Sequence, residues 1–422
     1  MQKEGSRIEE QEGELKECLH ELHAVLREDP LNEEVQQIRY RVYESLLEVT
    51  SSPSSPVLPG ASKEDKKGGE ISQQQRGETS IQKKKRKLDV QEREWCPKRR
   101  RMHPKNIYSI EKPDFVELSR LYPSLKPFLK TTAVNTSTAA AAAASSDEGC
   151  RRISIDFQDD DACRELVRVQ LHHDFGIEWS LDPPYLVPPL ANRLNYICWL
   201  DDVLSLWSRH RTERRCILDI GCGANLIYPL LGASYVGWRC IGCDVNADAL
   251  RVAARNREAN PDLAPLIHLR LVSMQPCQQQ PDDGETKNPK GIISSCIRDG
   301  DGELDACMCN PPFFSREEEA GKNPKTAFGG VSMEMVYPGG EEAFIKNMIW
   351  DSAKHTTACT WFSSMVGKKS TMKMARKMIH DLGRTVVRTT EFVQGKTSRW
   401  ALAWSFVAPQ DVALKPLSRT IL

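Results

Sequence analysis

Long apolar runs are absent from this chain of 422 residues, and so is any formal net charge. A helix that spans a membrane needs roughly 18 consecutive apolar residues, and no stretch approaches that length. The six alanines at 139–144 are flanked by serine and threonine, which is typical of a low-complexity loop. We therefore predict no association with a membrane.

Cysteine spacings that would complete a metal site are also missing, although the chain has 14 cysteines. Cys240 and Cys243 form a CxxC pair and Cys307 and Cys309 a CxC pair, but no second pair at ligand spacing accompanies either. Several of these cysteines fall in apolar runs, where a thiol behaves as a small hydrophobic side chain. The sequence thus predicts no metal site, and the lack of a signal peptide predicts reduced thiols.

The zero net charge hides three charged blocks. Residues 8–48 hold twelve acidic residues against four Lys/Arg, whereas residues 83–105 hold eleven Lys/Arg against three acids. Residues 366–400 hold nine Lys/Arg against two acids. Such blocks predict a basic surface for nucleic acid and an acidic appendage elsewhere.

Composition also divides the chain into segments. Leucines at helical spacing before Pro30, and Val35, Ile38, Val42 and Val49 after it, predict a helical hairpin over residues 1–50. This hairpin either contacts a protein partner through residues 8–49 or stands as a solvated appendage. The Ser-, Gly-, Gln- and Lys-rich residues 51–101 predict a disordered linker. The remaining predicted segments are a largely helical part at 102–210 with a low-complexity loop at 131–149, a core at 211–410 with a polar insertion at 275–302, and a tail at 411–422.

Two basic clusters, Lys83–Lys87 and Lys98–Arg101, are separated by ten residues within the linker. This spacing resembles a bipartite nuclear-import signal, while a phosphate-binding arm or a solvated charge run are the alternatives. We expect a nuclear location, with a cytoplasmic pool left open.

From Cys216 onward, short apolar runs alternate with segments of helical periodicity. That alternation predicts an α/β fold with a mostly parallel sheet and helices on both faces. The predicted strands are 216–220, 239–243, 267–272, 304–308, 359–366, 385–392 and 399–407, and the predicted helices include 163–175, 191–210, 340–355 and 371–382.

The segment Asn310-Pro311-Pro312-Phe313 follows the fourth of these strands. Proline has no N–H and a fixed φ, so the turn is stiff and its carbonyls remain available as acceptors. The Asn310 side-chain oxygen and the Pro311 carbonyl could hold a planar amine, with Phe313 stacked on the ring that bears it. An ordinary proline turn is the alternative, because short motifs also arise by chance.

A second motif lies upstream, where the strand 216–220 runs into Gly221-Cys222-Gly223. Glycines at this point let the backbone approach a ligand at the start of a helix. The next strand ends in Asp244, which is placed to accept hydrogen bonds from ribose hydroxyls. The order of the two motifs resembles that of class I S-adenosylmethionine-dependent methyltransferases that modify a planar nitrogen.

The sequence further resembles the methyltransferase-like protein 16 family, whose members are RNA adenine-N6 methyltransferases acting on U6 small nuclear RNA. The matching stretches run in collinear order from residue 102 to about residue 407 and include Met102–Asn106, Arg193–Ile197, Asp219–Ala224, Cys307–Phe314 and Arg399–Phe406. The resemblance implies a Rossmann-like class I methyltransferase with a seven-stranded, mostly parallel sheet.

The resemblance also implies site residues. The catalytic set would be Asn310, Pro311, Pro312 and Phe313. Contacts to S-adenosyl-L-methionine would come from Arg193, Gly221, Gly223, Asn225, Asp244 and Asn310. Contacts to structured RNA would come from Lys105, Lys325, Lys368 and Lys369. Asp244 stands where a glutamate is expected and Asn225 where a small hydroxyl residue is expected.

The expected function is thus methylation of adenosine N6 in RNA, with U6 small nuclear RNA favoured. Another structured RNA is one alternative substrate, and a protein glutamine amide is a second, because related turns also hold that planar nitrogen. A non-catalytic RNA-binding or splicing scaffold is the alternative from another class. The basic block at 366–400 favours RNA, and the intact cofactor motif argues against a scaffold.

Overall fold

The structure, a computed structural model, describes residues 102–133, 151–205, 214–273, 291–316, 332–383, 385–394 and 397–407, together with Glu319 and scattered positions between 11 and 45. The linker 51–101 with its basic clusters, residues 274–290, Lys325 and the tail 411–422 lie outside the described residues. The corresponding predictions stay predictions.

A small N-terminal layer precedes the main sheet. Its elements are helices α1 (Ile107–Ile110) and α2 (Phe115–Leu121), strands β1 (Leu129–Ala133) and β2 (Arg151–Ile155), and helices α3 (Asp160–Phe175) and α4 (Leu190–Ser205). The two strands pair antiparallel, so Thr131 to Ala133 belong to a strand, which corrects the predicted start of the low-complexity loop at residue 131. Residues 134–150 lie outside the described residues. Asp159 caps α3 through its carboxylate, which accepts from the N–H groups of Asp161 and Ala162.

The main sheet and its helices follow. They are β3 (Cys216–Ile220), α5 (Ile227–Val236), β4 (Arg239–Asp244), α6 (Ala247–Glu258), β5 (Ile267–Leu271), α7 (Ile292–Cys296), β6 (Leu304–Cys309), α8 (Ser332–Met335), α9 (Gly340–Ser352), β7 (Cys359–Val366), α10 (Lys369–Asp381), β8 (Val386–Gln394) and β9 (Thr397–Ser405). Each predicted strand is present, with ends that differ by up to two residues.

The sheet has seven strands in the order β5-β4-β3-β6-β7-β9-β8. Strands β5, β4, β3, β6 and β7 pair in parallel, whereas β9 runs antiparallel to both β7 and β8. The order reverses between β3 and β6, so the carboxyl ends of these two strands flank a crevice at a topological switch point. The predicted mostly parallel, Rossmann-like α/β fold is confirmed.

Central strands β3, β6 and β7 are buried along their whole length, as expected for a sheet covered on both faces. Their cysteines are part of the apolar core, since Cys216, Cys307 and Cys309 are all buried. Within the described residues no helix is long and apolar enough to cross a membrane, and no group of three or more potential ligands could hold a metal ion.

The end of the predicted insertion is structural, which corrects the expectation of a polar appendage. Ile292, Ile293 and Cys296 of α7 are buried in the core beside α9. Arg270 forms two hydrogen bonds to Asp301, at 2.8 and 2.5 Å, and so ties this segment to β5. The sequence prediction was wrong because a five-residue helix is too short to show a period against polar neighbours.

All described positions between 11 and 45 are helical, as predicted for the N-terminal hairpin. Leu19 is 3% exposed, and Leu15 and Val42 pack against the main core cluster. Part of the apolar face of this segment therefore packs against the core of the same chain. A protein partner for this segment stays a prediction.

Candidate functional site

The loop after β3 is shaped for close approach by a ligand. Gly221 and Gly223 have φ values of 77° and 62°, a left-handed conformation that strains any residue with a side chain. The Gly221 N–H donates to the Cys243 carbonyl at 2.8 Å, which turns the loop back over the end of β4. The backbone around Gly221 is exposed to a cavity at the carboxyl ends of the strands.

Asp244, the last residue of β4, connects the loop after β3 to the loop after β4. Its Oδ2 accepts from the Gly223 N–H at 2.9 Å, and its Oδ1 accepts from the Asn246 N–H at 2.9 Å. Burial raises the pKa of Asp244, while these backbone donors oppose that shift. The carboxylate also lines the cavity. It therefore acts first as a brace between two loops, and its further acceptor capacity is available to ribose hydroxyls.

A second acid, Asp219, lies beneath the same loop and was not singled out as a site residue from the sequence. It is 1% exposed, and neither carboxylate oxygen has a hydrogen-bond partner among the described residues. Burial and, to a smaller extent, the Asp244 charge raise the pKa of Asp219 to about 8, while Arg193 opposes both. The protonated form of the carboxyl is thus favoured at neutral pH.

Arg193 reaches the cavity from helix α4. Its guanidinium lies 5.5 Å from the ring centroid of Tyr228, and its Nη1 donates to the Tyr228 hydroxyl at 3.1 Å. Its Nε is buried without a hydrogen-bond partner among the described residues. A cation held in this way is a receptor for an anionic group such as a carboxylate.

Asn225 and Glu334 form the wall opposite. The Asn225 Oδ1 accepts from the Ile227 N–H at 3.1 Å and so supports the first turn of α5. Glu334 of α8 accepts from the Leu186 N–H at 3.2 Å, and both side chains line the cavity. Glu334 was not predicted, because only the folded loop brings it close to Gly223.

The Asn310 turn stands at the end of β6, on the other side of the switch point. Asn310 Oδ1 is buried and accepts no hydrogen bond from the part of the chain that the structure describes. The end of β6 is fixed by Tyr196 of α4. Its hydroxyl accepts from the Cys309 N–H at 3.4 Å and lies 2.9 Å from Ser363 Oγ. A buried amide oxygen without a partner is costly, which makes it a candidate for binding a donor of a substrate.

The aromatic residues after the prolines are also held in place. Phe314 forms a β-bridge with Val336, with backbone hydrogen bonds of 3.0 Å from Phe314 to Met335 and from Tyr337 to Phe314. The Phe313 ring lies against Gly367, and the Arg399 guanidinium is 5.6 Å from its centroid.

Glu341 connects the start of helix α9 to the turn between β7 and α10, where Gly367 lies beside Phe313. It is buried at the start of α9, where it accepts from the Gly367 N–H and, at 3.0 Å, from the Thr371 hydroxyl. Burial raises the pKa of Glu341. Neither Glu341 nor Arg399 was predicted as a site residue, because their partners are distant in the sequence.

One cavity of about 550 Å³, a size suited to a nucleoside cofactor, lies at the carboxyl ends of the strands. The predicted residues that line it are Arg193, Gly221, Gly223, Asn225, Asp244, Asn310 and Pro312. Pro311 is buried next to them in the turn, and Phe313 follows in the same turn but does not line the cavity. The structure thus brings the predicted cofactor residues together with Asn310 and Pro312, and the roles of all these residues stay predictions.

The predicted RNA contacts are placed less uniformly. Lys368 and Lys369 are exposed where α10 begins, next to Gly367. Lys105 differs from them, since its side chain is only 16% exposed. Its Nζ donates to Asp202 at 2.6 Å. Lys105 can reach a phosphate only if it leaves Asp202, and its role in binding RNA stays a prediction.

Comparisons with known proteins identify the family. Residues 97–408 match the family model described as an RNA methyltransferase. The chain is 33% identical over 332 residues to the RNA N(6)-adenosine-methyltransferase mettl16 of Xenopus laevis, with 76% of this chain and 54% of that relative covered. It is also 33% identical to ribosomal RNA large subunit methyltransferase F of Pectobacterium atrosepticum, with 72% of this chain and 93% of that relative covered. The chain therefore spans about half the length of the mettl16 relative and most of the bacterial one.

Solved structures give the same result. The catalytic domain of human METTL16 in complex with MAT2A 3′UTR hairpin 6 is similar, with a TM-score of 0.59, 32% identity, and coverage of 73% of this chain and 98% of that one. The N-terminal domain of human METTL16 in complex with SAH has a TM-score of 0.54 at 31% identity, with 72% and 99% covered. Because the family model matches about three quarters of its length, this chain belongs to the RNA methyltransferase family.

Proposed function

We propose that this protein transfers a methyl group from S-adenosyl-L-methionine to N6 of an adenosine in a structured RNA, with U6 small nuclear RNA as the favoured substrate. The observation that carries the proposal is the buried Asn310 Oδ1, which lacks a hydrogen-bond partner among the described residues and shares its cavity with the Gly221–Gly223 loop.

The residues around the cavity fit this cofactor. Arg193 supplies a cation for its carboxylate, and Asp244 supplies acceptors for its ribose hydroxyls. Val245 and Ile292 give apolar surface for a purine ring. When bound, the cofactor provides an electrophilic methyl group, and the remaining chemistry belongs to the protein.

The amine of adenine is a weak nucleophile, because its lone pair is delocalised into the ring. Acceptors from Asn310 and the Pro311 carbonyl would bind its two N–H groups, return density to nitrogen and fix its direction. Alignment of reacting atoms about 3–3.5 Å apart supplies most of the gain. No strong base is needed before transfer, since the proton of the alkylated product is acidic and can leave to water.

Phe313 would stack on the extruded base, a contact that contributes about 1–3 kcal/mol. The ring has Gly367 and the Arg399 guanidinium as close neighbours, which restrict its orientation before the base arrives. A base that is unpaired in the RNA costs least to bring into this position, which favours loops and bulges beside a duplex.

Comparison of two asparagines of the same cavity tests the proposal. Asn310→Ala should lower the rate of RNA methylation by at least about 100-fold, because it removes the amine acceptor. Asn347→Ala is the matched control, because its side-chain amide is already bonded to the Tyr337 hydroxyl at 2.9 Å. Equal rates for the two variants, with unchanged thermal stability, would contradict the assignment of Asn310.

A ribosomal RNA is the second candidate substrate. The match to the bacterial enzyme covers nearly all of that relative, whereas the match to mettl16 covers about half. Mapping of N6-methyladenosine in cells that lack this protein separates the candidates. Loss of the mark from U6 alone supports the first, and loss from large-subunit ribosomal RNA alone supports the second.

Nuclear location is part of the proposal. It rests on the basic clusters Lys83–Lys87 and Lys98–Arg101. Neutral residues at both clusters should release a fluorescent fusion into the cytoplasm, and unchanged nuclear retention would leave the clusters as phosphate contacts or solvated charge.

A further inference from the structure

Helix α10 presents a row of lysines to solvent. Lys369, Lys373 and Lys377 follow one another at every fourth position, are exposed, and therefore lie on one face of the helix. The opposite face is buried in the core and consists of Thr371, Met372, Ala375 and Ile379. Because that buried face fixes the helix against the sheet, the lysines are exposed at a fixed position and spacing.

These lysines differ from the cations on the other surface helices. There, cations pair with acids one turn away on the same helix, as Arg120 with Glu117, Arg168 with Glu165, and Lys346 with Glu342. In the described part of the chain, no carboxylate lies within 4.0 Å of Lys369, Lys373 or Lys377. The only acid of α10 is Asp381 at its last position. A helix face that carries unpaired charge of one sign is a surface suited to a polyanion.

The row begins at the catalytic turn. Gly367, two residues before Lys369, lies against the Phe313 ring, and Glu341 holds its N–H. From Lys369 to Lys377 the helix extends the row by about 12 Å at about 1.5 Å per residue. A nucleic acid strand that delivers a base to Phe313 would therefore have its neighbouring backbone near this face.

We infer that the face formed by Lys369, Lys373 and Lys377 binds the phosphate backbone of the duplex stem beside the methylated adenosine. The inference rests on the proposed function and adds to it how the substrate is held. A duplex fits this role because an A-form stem is recognised through its backbone and shape, with little reading of its bases. A lysine ammonium binds such phosphates as a point charge without demanding one geometry.

A pair of double variants tests the inference. Lys373→Gln with Lys377→Gln removes two charges from α10 outside the catalytic turn. Arg251→Gln with Arg255→Gln removes two charges from α6, which packs on strands β4 and β5 near the opposite edge of the sheet. The probes are two fluorescein-labelled RNAs with one unpaired adenosine, a hairpin with a long stem of about 15 base pairs and a single strand of the same length whose sequence cannot form a stem. Fluorescence anisotropy at several KCl concentrations gives the dissociation constants, and methyl transfer from labelled cofactor gives kcat and KM.

For the long stem, the α10 variant should bind roughly tenfold more weakly near physiological salt, with the slope of log affinity against log salt reduced by about 1–2. KM should rise in parallel while kcat at saturation changes little. The single strand should be bound equally by wild type and variant, and Lys373→Arg with Lys377→Arg should restore binding of the long stem.

Three results would overturn the inference. They are an unchanged affinity and salt slope of the α10 variant for the long stem, an equal loss in the α6 control, and an equal loss for the hairpin and the single strand. Binding needs no turnover, so this test stands even if the wild-type protein methylates no RNA. A wild-type protein that binds the long stem but methylates no RNA would refute the proposed function and leave this inference standing.

Discussion

The guanidinium of Arg399 lies 5.6 Å from the centroid of the Phe313 ring, while Gly367 contacts the ring directly. Arg399 comes from β9 and Gly367 from the turn after β7, two strands that are neighbours in the sheet. The aromatic residue of the Asn310 turn is therefore positioned by the antiparallel end of the sheet as well as by its own strand. A cation over the ring and a glycine beside it both constrain the plane on which a base can stack.

Replacement of Arg399 by glutamine should lower kcat/KM for RNA by about tenfold, because a cation–π contact contributes about 0.5–2 kcal/mol when it is partly shielded from water. Cofactor affinity should stay the same, since Arg399 does not line the cavity. Arg388→Gln is the control, because it removes a half-buried arginine from the adjacent strand β8. An equal loss of activity in both variants would mean that the basic charge matters and the contact to Phe313 does not.

Gly367→Ala tests the same ring through a second neighbour. A Cβ at this position would lie 2.9 Å from Cδ1 of Phe313 and 3.1 Å from the Glu341 carboxylate, so the ring must move. We expect at least a tenfold loss of kcat, with a smaller effect on the melting temperature. The control is Gly300→Ala, where a Cβ would meet nothing within 4 Å. Retained kcat in Gly367→Ala would show that the position of the ring is not critical.

The sequence predicts the two site motifs and the sheet that carries them because both are local. Gly221-Cys222-Gly223 and Asn310-Pro311-Pro312-Phe313 each follow an apolar run, and parallel strands place their carboxyl ends at one edge. Long-range packing cannot be read in this way. Glu341 and Arg399 act through residues 26 or more positions distant, and Lys105 looks like any exposed lysine until Asp202 is found beside it.

Asp244 provides a prediction in which binding and stability change together. Asp244→Ala removes a ribose acceptor and also the partners of the Gly223 and Asn246 N–H groups. Cofactor affinity should fall by roughly 1.5–3 kcal/mol, the usual range for a hydrogen bond to a charged group. Calorimetric titration with S-adenosylmethionine measures the first effect and thermal unfolding the second. Unchanged affinity together with lowered stability would reduce Asp244 to a structural brace.

Asp219 gives the last prediction, through the pH dependence of stability. Burial raises the pKa of Asp219 to about 8, far above the value near 3.8 that an exposed aspartate has. Between these values the folded protein holds a proton that the unfolded chain has lost. Folding stability therefore falls as pH rises through this window, at up to about 1.4 kcal/mol per pH unit from this group. Above the folded pKa the carboxyl is ionised in both states and the decline ends.

Asp219→Asn removes this titration and leaves a neutral side chain of the same shape. In the absence of cofactor, the variant should gain in urea midpoint over the wild type as the pH is raised from about 5 to about 7. Asp156→Asn is the control, because hydrogen bonds from Lys130 and Gln158 lower the pKa of Asp156 and the residue is ionised in both states across this range. The urea midpoint of Asp156→Asn should change with pH in parallel with that of the wild type. A constant difference between Asp219→Asn and wild type would mean that Asp219 is already ionised in the folded protein, with Arg193 as its counter-charge.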